Sequence, residues 1–129
     1  MDRRNLRVEA IKIIYEVLLR EDDLLTILRE KEITDEELSV LVTNVLEKKD
    51  ELEEIIKINL KKYTINRLNL VDLAILLLAT YELKYSKTPK AIIINEALDI
   101  TKIYTQTDTE NTVSFNNKLL DNIAKYLEV

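Results

Sequence analysis

The sequence predicts an all-α fold, and three observations carry that prediction. The 129 residues include no glycine and a single proline, Pro89, so tight-turn and hairpin signals are missing. Apolar side chains recur at spacings of three and four, among residues rich in Leu, Ile, Lys and Glu. Leu70 to Ala79 reads LVDLAILLLA, whose one polar residue is Asp72. A helix apolar on every face has to be covered on every face, so this one belongs at the centre. It is far short of the ~20 apolar residues that span a bilayer, which makes it core and not membrane.

Taken in order, Asp2 caps a first helix running to about Leu19, with Leu6, Ala10, Ile13, Ile14, Val17 and Leu18 inward. Arg3, Arg4 and Arg7 occupy its first two turns, and Arg3 and Arg7, four apart, are neighbours on one side. A short helix from Asp23 to about Lys31 lays Leu24, Leu25, Ile27 and Leu28 against the first. Thr34 starts a third helix, with Glu37 completing a capping box ahead of Leu38, Leu41, Val42, Val45 and Leu46. Lys48 and Lys49 suit the negative end of that helix, while Asp50 and Glu53 suit the positive start of another, so the pattern breaks there. The fourth helix, lined by Leu52, Ile55, Ile56 and Leu60, ends near Tyr63. Asn69 caps the central helix, bracketed by Arg67, Tyr81 and Glu82, groups that want water or a partner. Pro89 falls at the first position of the next helix, which buries Ile93, Ala97, Ile100 and Tyr104. The polar run from Tyr104 to Asn111 reads as an exposed loop. A last helix from about Thr112 to Leu127 presents Phe115, Leu119, Leu120, Ile123 and Leu127. Seven helices in one compact unit are expected, and a chain of this length buries ~65–70% of its unfolded surface.

Composition narrows the function. Without Cys there are no disulfides or zinc thiolates, and without His the commonest general base and metal ligand are gone. A binding module is therefore expected, with no catalysis, no metal and no cofactor. The carboxylates of residues 30–54 lack the alternating spacing and the glycine of a calcium loop, so they read as helix surface. No secretory signal pattern is visible, and a cytoplasmic protein with no membrane association is the expectation. The high Ile, Lys and Asn content suggests an AT-rich bacterial genome.

The net charge of −5 is unevenly spread. Residues 1–20 carry +2, residues 21–54 carry −9 and residues 55–129 carry +2. The acidity is confined to one quarter of the chain, and both ends are mildly basic.

Three groups are candidates for binding. Arginines oppose the macrodipole at a helix start, so Arg3, Arg4 and Arg7 either contact nucleic-acid phosphates or form a solvated, frayed end. Tyr15, two turns past Arg7, is either an interface aromatic or a core-edge residue with its hydroxyl in water. Phe115, Asn116, Asn117 and Lys118 follow the polar stretch. Together they can stack a base and reach its edges or phosphate, or Phe115 can simply be core.

Four segments together resemble one family. They are the R-R-x-x-R-x-x-A-x-x-x-x-Y opening of Arg3, Arg4, Arg7, Ala10 and Tyr15, then RLNLVDLAILLLATYELKY, TPKAIIINEALDITK and FNNKLLDNIAKYL. In this order, across nearly the whole chain, they resemble the NusB-type transcription antitermination factors. The resemblance implies one helical domain over residues 1–129, made of two small bundles of three and four helices, at 1–49 and 50–129. It also implies a non-enzymatic factor that pairs with a small-subunit ribosomal protein, called NusE in that role, on the boxA element of nascent RNA. Such a complex joins the RNA polymerase elongation complex, notably on ribosomal RNA operons. By the same resemblance, RNA contacts fall on Arg3, Arg4 and Arg7, and on Phe115 with Asn116 and Lys118. The protein partner falls on Tyr15 and Asp72. Two positions depart from the pattern: Leu77 stands where many members have arginine, and Lys118 where a glycine follows Asn117.

The alternatives are a homodimeric helical module that does not bind RNA and, less expected, an RNA-targeting domain of the kind fused to RNA cytosine methyltransferases. In the favoured reading the arginines and Phe115 share one cationic corner formed by the first and last helices.

Overall fold

A computed structural model describes residues 1–61, 65–105 and 108–129. Among them are seven α-helices: α1 (Arg3–Arg20), α2 (Leu24–Glu30), α3 (Glu36–Glu47), α4 (Lys49–Asn59), α5 (Leu70–Tyr85), α6 (Lys90–Tyr104) and α7 (Thr109–Tyr126). A single 3₁₀ turn, Ile65–Arg67, precedes α5. The all-α prediction holds.

Local chemistry sets most helix starts. The side chains of Asp2, Asp23 and Asn69 accept from the backbone N–H of Asn5 at 2.8 Å, Leu25 at 3.2 Å and Asp72 at 2.8 Å. They satisfy donors that the first turn leaves unpaired. At α3 the cap is Asp35 and not Thr34: its carboxylate accepts from Leu38 N–H at 2.9 Å. A carboxylate combines the capping acceptor with the negative charge that a helix start favours, and a threonine offers only the former. Glu37, expected to close the capping box, reaches instead to Arg3 at 2.6 Å. Pro89 sits one residue earlier than expected, at the cap of α6.

Two expected boundaries move. α4 ends at Asn59, where Leu60 turns extended, four residues before the expected Tyr63, which lies outside the described residues. α7 begins at Thr109, so Thr109 to Asn111 of the expected loop form its first turn; residues 106 and 107 lie outside the described set. With no glycine available, the left-handed positions closing α1 and preceding α7 fall on Glu21 (φ 53°) and Asp108 (φ 55°).

The core sits around α5, which packs against α1, α3, α4, α6 and α7. Every residue from Asp72 to Thr80 is buried, as a helix without a polar face requires. Leu77, the first departure from the family pattern, is fully enclosed. The helix continues past the apolar run to Tyr85, carrying Glu82 into the interior. From α1, Leu6, Ala10, Ile13 and Ile14 are buried in the same core as predicted, with Val17 and Leu18 half-buried. No helix among the described residues is long and apolar enough to cross a membrane.

Candidate nucleic-acid and partner surfaces

The arginine end of α1 is built from ion pairs with three other helices. Arg7 is 5% exposed and Glu82, on α5, is 7% exposed. They meet as a two-pronged pair, Nε and Nη2 each donating to one carboxylate oxygen at 3.0 Å. Glu96 on α6 lies 3.7 Å from the Arg7 Nη1. Arg4 is partly exposed and donates from Nε to Glu96 Oε2 at 2.8 Å and from Nη2 to Asp99 Oδ2 at 2.8 Å, with a further short contact from Nη2 to Glu96. The hydrogen bond to Glu96 raises the Arg4 pKa above its ordinary value, fixing a guanidinium that is in any case always charged. Arg3, exposed, donates to Glu37 at the start of α3. All three arginines are thus paired, and the buried one serves the packing of α1 on α5.

The second group divides along α7. Phe115 is half-buried, while Lys118 is exposed. They line a cleft of about 260 Å³ with Asn59, Leu60 and Lys61 from the end of α4 and with Leu119 and Asn122. Asn116 turns the other way: it is 1% exposed and donates from Nδ2 to the hydroxyl of Thr101 on α6 at 3.3 Å. It also hydrogen-bonds Asp72 on α5. Asn116 is therefore a polar tie among three helices.

Two expectations change as a result. Arg7 and Asn116 were expected at an RNA surface, but burial and partners inside the fold occupy both side chains. Nor do the arginines and Phe115 share one set of helices: the arginine partners lie on α3, α5 and α6, whereas the Phe115 cleft lies between α4 and α7.

Tyr15 converges with the start of α5, but Asp72, expected beside it at the partner surface, is buried and does not line their groove. Tyr15 lines a groove of about 400 Å³ with Ile11, Lys12, Glu16, Lys31, Val71 and Tyr104. Val71 precedes Asp72, which is 8% exposed. Burial pushes the Asp72 carboxyl above its ordinary value of 3.8, against the hydrogen bonds from Asn116 and Asn69 that pull it down. Among the described residues no cluster of acidic side chains could hold a metal ion.

Sequence reasoning missed Glu37, Glu82, Glu96 and Asp99 as partners of the arginines. Glu82 carried a readable signal: it lies three and four residues past Ala79 and Leu78 on the buried face of α5, where a charge has to be paired. Nothing in the spacing pointed to Glu37 or Asp99.

Comparison with known proteins agrees with this architecture. The sequence matches the NusB family over residues 4–125. The transcription antitermination protein NusB of Listeria innocua is 37% identical over 128 residues, covering 96% of this chain and 97% of that protein. The structure of T. maritima NusB superposes with a TM-score of 0.83 at 34% identity, over 97% of this chain and 92% of that one. A chain from the crystal structure of antitermination factors NusB and NusE in complex with dsRNA shares the fold, with a TM-score of 0.79 at 24% identity over 96% of each chain. The α-helical order, the arginine-bearing α1 and the matched residues lead to one conclusion: the chain belongs to the NusB family of transcription antitermination proteins.

Proposed function

We propose that this protein pairs with a small-subunit ribosomal protein in the NusE role on boxA-type single-stranded RNA of nascent transcripts, notably ribosomal RNA, within the RNA polymerase elongation complex. One observation carries the partner half of this reading. Tyr15 and Val71, the neighbour of Asp72, line the same groove although they are far apart in sequence, so the two elements expected to meet a protein partner face it together. The crystal structure of NusB and NusE in complex with dsRNA, whose NusB-like chain shares this fold, supports a NusE-type protein and RNA as partners.

The RNA half rests on Arg3 and Arg4, whose guanidinium groups are reachable from solvent and match phosphate geometry. Phe115 and Lys118 supply a second contact zone, an aromatic for an unstacked base and an ammonium for phosphate. Arg7 and Asn116 support these zones from within. The two zones lie on different helix pairs, so a strand that engages both has to run between them, and a partner held at the Tyr15 groove would help to fix its path.

A titration of labelled boxA-type RNA, with and without the ribosomal protein, tests the reading. Tighter binding in the presence of the partner is expected. A homodimer that ignores both the RNA and the ribosomal protein in light scattering would replace it with the protein-interaction alternative.

A further inference from the structure

The arginine end of α1 is not a net positive patch. Arg3, Arg4 and Arg7 stand against Glu37, Glu82, Glu96 and Asp99, so carboxylates outnumber guanidiniums there. For Arg4 the occupancy is specific. Its Nε and Nη2 form one two-donor edge of the guanidinium, the edge a phosphate would take, and Glu96 and Asp99 already hold it. Yet the Arg4 and Asp99 side chains are each 45% exposed, so this pairing can be exchanged without opening the core.

We propose that Glu96 and Asp99 form an acidic clamp on Arg4, seconded by Glu37 on Arg3, that phosphates of a transcript must displace, making these carboxylates determinants of RNA specificity. This rests on the reading of Arg4 as a phosphate contact. A carboxylate offers the same pair of oxygens as a phosphate, so the exchange costs the protein one charge-assisted pair for each one gained. An RNA that offers only diffuse negative charge gains little from such a swap and meets repulsion from the released carboxylates. An RNA anchored elsewhere on the protein delivers its phosphate at high local concentration and wins the exchange. The clamp therefore weakens binding generally and favours the strand that is held at a second site.

Counterion release gives the clamp a measurable signature. Freed carboxylates take up cations as the RNA phosphates lose theirs, which flattens the salt dependence below that of unclamped arginines. The test is a salt series of RNA titrations on the full chain, using labelled boxA-type RNA and oligouridine of the same length, with Asp99→Asn, Glu96→Gln and Arg4→Ala compared with the unsubstituted protein. Both carboxamide variants are expected to bind about two- to fivefold tighter, with the larger gain on oligouridine. Their slope of log K against log salt is expected to steepen by up to ~0.7.

Unchanged or weaker binding by Asp99→Asn, with its melting temperature retained, overturns the clamp. If Glu96→Gln loses its fold, the surface variant Asp99→Asn decides alone. Arg4→Ala separates the two readings: if it binds both RNAs as well as the unsubstituted protein, the phosphate role of Arg4 fails and the clamp with it. If Arg4→Ala weakens binding while Asp99→Asn does not strengthen it, only the clamp fails.

Discussion

Burying Arg7 against Glu82 removes two full charges from water, a cost that only close two-pronged geometry offsets. Removing Arg7 strands Glu82 in the core, and removing Glu82 leaves Arg7, among the described residues, only its longer contact with Glu96 at 3.7 Å. Arg7→Met is expected to cost ~3–5 kcal/mol and Glu82→Leu somewhat less, because Glu96 still lies near Arg7, whereas the two together cost less than Arg7→Met alone. Urea unfolding of the four proteins as a double-mutant cycle measures the difference. Asp72 poses the opposite problem, because burial favours its neutral form. A carboxyl whose folded pKa is raised stabilises most below its unfolded pKa, and that stability is lost as pH rises through the folded value. The advantage of Asp72→Asn should therefore be absent in acid, grow as pH rises from about 3.8 through the raised value of Asp72, and level off above it. Denaturant midpoints across that range, set against the unsubstituted protein, check the sign. Both residues looked like surface groups in the sequence, since Arg7 sits among arginines and Asp72 in a first helical turn. Their burial comes from neighbours in other helices.

Among the elements, α5 was the most legible and also holds the one clear imperfection. Its all-apolar run forced a central position, and Asn69 fixed its start, because both signals act within a single helix. Thr80, fully buried, has no hydrogen-bond partner for Oγ1 among the described residues. An unsatisfied buried hydroxyl costs about 1–3 kcal/mol, so the isosteric Thr80→Val is expected to stabilise by about 1 kcal/mol. The effect should appear as a higher denaturant midpoint at unchanged slope. α3 and α7 show where reading from pattern slips. Asp35 took the cap from Thr34 because two adjacent residues could both serve and the charged one serves the helix dipole as well. Thr109 to Asn111 joined α7 although they carry no apolar residue, because a first turn at a helix end needs no buried face.

For the whole molecule, the charge that the proposed function leaves available to RNA is smaller than three arginines suggest, since Arg7 is buried against Glu82. Arg3 and Arg4 together are expected to account for about two phosphate contacts, so replacing both with alanine should flatten the slope of log K against log salt, by less than the ~1.4 units that two unclamped arginines would give. Arg7→Met should leave that slope nearly unchanged while lowering stability. RNA titrations in a salt series, run beside thermal melts, distinguish a contact from a support. The paired arginines lie beside α6 and the Phe115 cleft between α4 and α7. The Tyr15 groove is the third surface, formed where α1 meets the start of α5.

The amino-acid sequence by itself determined the helical class, the central place of α5 and most helix starts, because periodicity and capping are properties of residues a few positions apart, and its segments resembled those of the family it belongs to. Only the tertiary structure decided which arginine is buried, which carboxylates hold the others and which way Asn116 turns. Those pairings join residues 34, 75, 92 and 95 positions apart. Helical spacing says which side of a helix faces inward, but it does not say which residue of another helix waits there. Packing around α5 settles that, and with it the difference between a guanidinium offered to a transcript and one locked into the core.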